Sequence, residues 1–419
     1  MDHEEKKKSR YCAREVATYK DPTVFAAASD VDDASMLDLF AVKKGYSTTC
    51  FDAAAAFSQA EEQELIFLEP PAEYLERIGR RVLWQCLRVR EGRRNGARCW
   101  QEHFCSVLTS SECPGRFAQN PKAPPMYFSR SLDILIDLHV DDGYVAGPKE
   151  KQEELYRFLE KHVAIKVSPL VEAGVGFDHV GATRMRTESG MWIKPFDKYT
   201  ERALDLMGMV SCNTSSCPKL DKQHLEGDEN DLEESSVYRS AVCTLLYLAQ
   251  RRPEMQSNTV RWLCKRLTKP NLQSDRQLKK LLRYLKCSAD LATLFPTASE
   301  DMVIKGFVDG DWGCDDLDRK SVSGIVVMVG GCRIHCHSRT TPSHALSSGE
   351  CEVMSMSELL NDCLYIQFCL ELCGMGILPI GMLTDASVAR QFVHRKGVGR
   401  MKHIDIRYMW LQAATWCTL

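Results

Sequence analysis

Val303-Ile304-Lys305-Gly306-Phe307-Val308-Asp309-Gly310-Asp311 is an apolar run that closes on acids, and the fold is read outward from it. Residues 303–308 predict a strand with Asp309 at its end. Further on, 323–329 predict a second strand and 333–337 a third, with Gly330-Gly331 as a turn between them. A long apolar helix is expected over 350–373, then a short strand over 381–384 running into Asp385, then a helix from about Ala386. Three strands, a helix, a strand and a helix make an α/β layer in which carboxylates gather at strand ends.

If the first and fourth strands are neighbours, Asp309 and Asp385 converge at one sheet edge. Such a cluster repels itself unless divalent cations neutralise it. Two Mg²⁺ ions ~3.5–4 Å apart, with Mn²⁺ as the alternative, are the usual solution for phosphodiester chemistry. Two glutamates compete for the third position. Ser347-Ser348-Gly349-Glu350 matches a capping box, which gives Glu350 a structural task. Glu352 lies about 200° further round the helix and is free to face the sheet, so it is the expected ligand, with Glu350 left open. Asp405, in Lys402-His403-Ile404-Asp405, is the expected fourth acid, with His403 beside it for proton or product handling.

A second acid group lies upstream. Leu132-Asp133-Ile134-Leu135-Ile136-Asp137-Leu138-His139-Val140 reads as a strand that enters Asp141-Asp142-Gly143 and leaves through Tyr144-Val145-Ala146-Gly147. Asp-Gly between apolar strands signals a hairpin, which by itself needs no chemistry. Cys50-Phe51-Asp52 ends another strand, before the helix-favouring run 53–57. Asp52 with Asp141 and Asp142 is a set suited to a metal pair and a nucleotide triphosphate, with a primer 3′-oxygen attacking the α-phosphate.

Between these blocks Leu278, Leu281, Leu282 and Leu285 recur at helical spacing. Arg261, Lys265 and Arg266 precede them, with Lys279, Lys280, Arg283 and Lys286 on the other faces. These cations are read either as exposed polar face or as a phosphate-tracking surface. The acidic run 221–236 reads as a solvated loop, and Phe295-Pro296-Thr297-Ala298-Ser299 marks a soft boundary.

Composition limits the classes. The chain has 419 residues, 44% hydrophobic and 26% charged, with a net charge of -3. That excludes a disordered tail, a collagen, a coiled-coil rod and a polycation. No apolar stretch reaches the ~18–20 residues of a membrane helix, and the start lacks a signal peptide's apolar core, so an intracellular soluble protein without a membrane partner is expected. The 19 cysteines include no C-x-x-C pair. In Cys332-Arg333-Ile334-His335-Cys336-His337 strand alternation sends neighbours to opposite faces, so thiols rather than a zinc site are expected there.

Three motifs together carry a resemblance: Asp318-Arg319-Lys320-Ser321-Val322-Ser323-Gly324, Ala345-Leu346-Ser347-Ser348-Gly349-Glu350-Cys351-Glu352 and Lys402-His403-Ile404-Asp405-Ile406-Arg407-Tyr408. In that order they resemble the ribonuclease H domain of copia-type retrotransposon polyproteins. The resemblance implies that Asp309, Glu352, Asp385 and Asp405 match that fold's metal-binding acids. His139-Val140-Asp141-Asp142 resembles the same family's Tyr-Val-Asp-Asp box. Phe51-Asp52 with Ala56-Phe57 resembles its first reverse transcriptase motif. Tyr238-Arg239-Ser240-Ala241-Val242, Leu245-Leu246-Tyr247-Leu248-Ala249, Arg252-Pro253 and Leu282-Arg283-Tyr284-Leu285-Lys286 resemble the segment that joins the two.

The likeness runs from about Lys8 to Gln412. It implies an α/β (α+β) chain: reverse transcriptase fingers and palm over 1–185, a helical thumb and connection over 186–298, and a ribonuclease H-like domain over 299–419. The implied partners are an RNA template, a DNA primer, an RNA–DNA hybrid and deoxynucleoside triphosphates.

The departures have meaning of their own. His139 replaces the box's tyrosine, and residues 90–100 follow the family only loosely, with Asn95 where it has a glutamine. The chain starts within the fingers, which leaves Arg10, with Lys8 beside it, to grip a triphosphate. An N-terminally truncated element is therefore expected. Its alternatives to full activity are hybrid cleavage alone, or a non-enzymatic relic binding nucleic acid through Arg88, Arg90, Arg93, Arg94 and Arg98.

Overall fold

The structure, a computed structural model, describes residues 11–16, 24–169, 174–219, 230–232, 234–256, 258–298, 301–315, 317–399, 401, 403–404 and 406–416. The chain divides into two compact units, Met1–Asp33 with Tyr46–Leu170, and Ala34–Gly45 with Val171–Leu419. Both mix helices with sheets.

The first unit is built on a six-stranded sheet in the order Ala118–Gln119, Met126–Ser129, Ile134–His139, Asp142–Gly147, Ser47–Ala53, Ile165–Val167. Every pairing is antiparallel. Ile134, Leu135 and Ile136 are all fully buried, which is why this strand is apolar without alternation. Helix Gly96–Thr109 contributes Trp100, Phe104 and Leu108 to the core, and helix Lys149–His162 contributes Leu155, Tyr156 and Leu159.

The hairpin turns earlier than its Asp-Gly signal suggests. His139 pairs with Asp142, so the two-residue loop is Val140-Asp141, and Asp142-Gly143 already belong to the next strand. Val140 adopts φ +59°, the sign that a type II′ loop wants at its first position, although a β-branched residue rarely takes it. Gly143 serves packing instead: a Cβ there would lie 2.1 Å from the Phe51 ring. The run 53–57 does not open an α-helix. The strand holds to Ala53, Ala55 turns left-handed at φ 49°, and a short 3-10 segment, Ala56–Gln59, follows.

In the second unit one sheet runs Thr293–Pro296, Gly190–Pro195, Ala182–Thr187, Gly176–His179, all antiparallel. The expected boundary at 185 therefore falls inside the 182–195 hairpin. Leu278, Leu281, Leu282 and Leu285 of helix Leu272–Cys287 are at most 1% exposed, as their spacing predicts. They pack with helices Asp197–Leu206, Ser235–Ala249 and Asn258–Cys264. Of the acidic run 221–236, residues 221–229 and 233 lie outside the described residues, and Ser235 already opens a helix.

Of the seven cations read as a phosphate-tracking surface, Arg261, Lys265 and Arg266 are engaged within the protein. Arg261 and Lys265 pair with buried Asp315 at 2.7 and 2.5 Å. Arg266 lies over the Trp262 ring at 3.4 Å. Burial alone raises the Asp315 carboxyl, but its bonds from Lys265 and Arg261 outweigh that and hold it below the usual carboxylate range.

The last sheet runs Cys332–Thr340, Val322–Val329, Ile304–Asp311, Ile380–Leu383. The first three strands are antiparallel, and Ile380–Leu383 lies parallel to Ile304–Asp311. The first of these in sequence runs on to Asp311 instead of stopping at Asp309. Helix Ser348–Leu370 covers the sheet, then gives way to a π-turn at Glu371–Met375, three residues short of the expected end. Among the described residues every cysteine is a free thiol, and no helix is long and apolar enough to cross a membrane.

Candidate metal centre

Parallel register sets two of the acids. Phe307 pairs with Leu383, so Asp309 and Asp385, each two residues further on, emerge side by side from adjacent strands. The third comes from helix Ser348–Leu370, and the approach depends on glycine. A Cβ on Gly310 would lie 3.0 Å from Cys351 Sγ, 3.1 Å from Ser355 Oγ and 3.3 Å from Glu352 Cδ; on Gly306 it would lie 2.6 Å from Leu359 Cδ1. Two glycines on the strand's helix-facing side thus let Glu352 reach the sheet edge. Ligand oxygens of Asp309, Glu352 and Asp385 all lie within 4.8 Å of one another.

Glu350 is occupied elsewhere. Its backbone N–H donates to Ser347 Oγ, and its Oε2 accepts the Leu346 N–H at 2.6 Å, closing the helix start on itself. His403 Nε2 lies 3.5 Å from the same Oε2. Asp405 lies outside the described residues.

Electrostatics set Glu352 apart. Burial pushes its carboxyl up to about 7, helped by the charges of Asp309 and Asp385 and opposed by the bond it accepts from the Gly310 N–H. Its Oε2 is buried without a hydrogen-bond partner. A half-buried carboxylate with an orphan oxygen, facing two exposed carboxylates, is an all-oxygen donor set of the kind that suits Mg²⁺ or Mn²⁺. A cleft of about 250 Å³ beside it is lined by Asp309, Asp311, Gly324, Val326 and Ser338. Sequence reading missed Gly310; its signal was a glycine wedged between two acids of a strand.

The upstream acids are arranged differently. Asp52 and Asp142 are direct partners across the Ser47–Ala53 and Asp142–Gly147 strands, which sets their side chains on one face. Asp141 sits at the hairpin loop, its carbonyl accepting the Ala53 N–H at 2.8 Å. Trp100 Nε1 donates to the Val140 carbonyl at 2.6 Å and clamps the left-handed residue. His139 Nδ1–H donates to the Ser29 carbonyl at 2.9 Å. All three acids are exposed. Asp52 and Asp141 line a cleft of about 580 Å³ together with residues 53–57, Gly92 and Glu91. Among the described residues this trio is not one of the groups whose ligand atoms fall within 4.8 Å.

Arg10 lies outside the described residues. Asn95 is buried at the N-cap of helix Gly96–Thr109. Of the arginines read as a basic patch, Arg93 is 7% exposed and bound by Glu15, Glu62 and Glu64, Arg88 pairs with Glu61, and Arg98 with Glu102. Arg90 remains exposed.

The architecture and site define a mixed α/β protein with a cluster of three carboxylates at one sheet edge. No protein-family model matches the chain. It is 25% identical over 375 residues, 86% of its length, to a retrovirus-related Pol polyprotein from a transposon of Nicotiana tabacum, and spans 27% of that polyprotein. It is 28% identical over 169 residues to an uncharacterized mitochondrial protein of Arabidopsis thaliana, covering 40% of this chain and 69% of that one. A secreted RxLR effector protein of Plasmopara viticola is 30% identical over 130 residues, 31% of this chain and 90% of the effector. Over most of its length the chain is thus similar to a retrovirus-related Pol polyprotein.

Proposed function

We propose that the chain is the reverse transcriptase–ribonuclease H part of such a polyprotein, an RNA-directed DNA polymerase that also cleaves the RNA strand of an RNA–DNA hybrid. The observation that carries the reading is the meeting of Asp309, Glu352 and Asp385 from two strands and a helix, within 4.8 Å. Mg²⁺ bound there supplies the activation of water and the neutralisation of the leaving oxygen. Asp309 and Asp385 hold their positions through strand register, and Glu352 through the Gly310 contact. The scissile phosphate lies in the adjoining cleft. Asp52, Asp141 and Asp142 are the polymerase acids in the same proposal, with primer, template and deoxynucleoside triphosphate meeting in the larger cleft.

A second reading, hybrid cleavage without synthesis, is favoured by one observation: the upstream trio is not drawn together as the downstream one is. One preparation separates the two readings. Hybrid cleavage and primer extension are measured on the same purified chain with and without Mg²⁺. Both activities, with cleavage lost in Asp309→Asn and extension lost in Asp141→Asn, support the full proposal. Cleavage alone supports the second reading, and neither activity in a folded sample rejects both.

A further inference from the structure

We infer that His335, His337 and Asp362 form a transition-metal site of the zinc class, separate from the acid cluster. The strand alternation that sends Cys336 away from its neighbours puts His335 and His337 on one face of Cys332–Thr340, the edge strand of the sheet. Helix Ser348–Leu370 sets Asp362 against them, with Glu358 one turn earlier on the same helix face.

The Nε2 atoms of His337 and His335 lie 3.1 and 3.7 Å from the same Asp362 Oδ2. Ligand atoms of all three residues fall within 4.8 Å of one another. Bonds of ~2.0–2.1 Å to a tetrahedral Zn²⁺ place neighbouring ligand atoms roughly 3.3–3.4 Å apart, so the observed separations bracket what such an ion needs. Two imidazoles and a carboxylate select Zn²⁺, Co²⁺ or a similar ion over Mg²⁺. The site is sheltered: the His337 side chain is 8% exposed and that of His335 14%.

Glu358 closes the fourth position. Its Oε1 lies 3.7 Å from His337 Nε2, and Ser323 Oγ donates to its Oε2 at 2.6 Å, which fixes the carboxylate's direction. Arg339 Nη1 holds the same Oε1 at 3.6 Å and is displaced on binding. Ten residues along a helix separate Asp362 from Glu352, about 15 Å, so the two centres do not share an ion. The ion ties an edge strand to the helix that carries Glu352, a structural task.

The full-length chain, stripped with chelator and titrated with Co²⁺, is expected to develop visible d–d bands at one equivalent without near-ultraviolet thiolate charge-transfer bands. Zn²⁺ should bleach these bands and raise the Tm. Asp362→Asn, which keeps the side chain's shape, and His335→Ala should each weaken Co²⁺ binding at least tenfold, whereas Asp197→Asn, in helix Asp197–Leu206, leaves it unchanged. Absence of d–d bands, thiolate bands in their place, or undiminished binding in Asp362→Asn overturns the inference.

Discussion

The downstream acids and the upstream acids differ in how much of their geometry the backbone fixes. Asp309 and Asp385 leave neighbouring parallel strands at matched register, and a third carboxyl, Glu352, is pressed between them by a helix that two glycines let approach. That group is crowded, half-buried and short of a hydrogen-bond partner. Asp52 and Asp142 are also matched in register, but all three upstream acids stay exposed, and one rides on a hairpin tip. A crowded carboxylate set resists ionising fully on its own and gains the most from a cation. An open, exposed set loses little by being empty and is completed by what enters its cleft. The comparison ranks the two acid groups: the downstream one is drawn together by strand register and helix packing, the upstream one is left open.

The largest test of that ranking removes a charge from the crowded set. Asp309→Asn should lower Mg²⁺-dependent hybrid cleavage by on the order of 10³-fold, while primer extension on the same sample changes little. Equal loss of both activities would break the distinction between the centres.

Next come the two glycines, one at each centre. Gly310→Ala puts a methyl group 3.0 Å from Cys351 Sγ and 3.3 Å from Glu352 Cδ, and the helix must give. Overpacking of this kind costs about 1–3 kcal/mol, and a shift of roughly 1 Å in a catalytic group costs about 10²-fold in rate. Gly143→Ala meets the Phe51 ring at 2.1 Å and should destabilise the first unit by at least as much. Its effect on extension should follow its effect on folding, because Phe51 packs the core and does not line the cleft at Asp52 and Asp141. Chemical denaturation and rate measurements on both variants check this. A cleavage rate in Gly310→Ala that simply follows the folded fraction would remove the positioning role.

Much of the downstream group was legible because it is built from regular elements. Alternating strands, an S-x-x-E helix start and acids at strand ends each have a periodic or capping signature, and the strands and helices lie within a few residues of where these signals put them. The preference for Glu352 over Glu350 rested on the capping box together with the helix angle: the capping role that Ser347 and Leu346 give Glu350 is local, so a local motif reveals it. The upstream hairpin was read late because Asp-Gly is a stronger turn signal than Val-Asp. The actual loop, with its left-handed Val140, is held by a contact from Trp100, forty residues away. The fate of the basic residues was not legible either. Asp315, which takes up Arg261 and Lys265, is 50 or more residues distant and carries no mark in sequence of being buried. Long-range pairing of this kind has no period.

Smaller still is the effect of pH on the first unit. Asp33 is buried, with Asp137 and Asp30 as charged neighbours, and its carboxyl is pushed from 3.8 up to about 9. The folded state therefore binds more protons than the unfolded state between about pH 4 and pH 9. Stability is fully present below the unfolded value and is lost as pH rises through this window. Asp33→Asn keeps the shape and removes the titration, so it should flatten the profile and stabilise the unit by about 1–2 kcal/mol at pH 8. Urea midpoints at pH 5 and pH 8 decide it; a parent protein more stable at pH 8 contradicts the assignment.

The smallest expected effect sharpens the division of labour between two glutamates two residues apart. Ser347 Oγ accepts the Glu350 N–H, and Glu350 Oε2 accepts the Leu346 N–H, so this pair fixes where the helix starts. Ser347→Ala removes one cap and should cost about 1 kcal/mol. Glu352 is held from the other side, by the Gly310 N–H and by close packing on the strand, so its position relative to Asp309 should survive a frayed first turn. Cleavage measured well below the melting temperature should then fall by less than threefold in Ser347→Ala. A drop approaching that of Gly310→Ala would mean that the cap, and not the strand, aims Glu352, and the positioning argued for this centre would rest on the helix start instead.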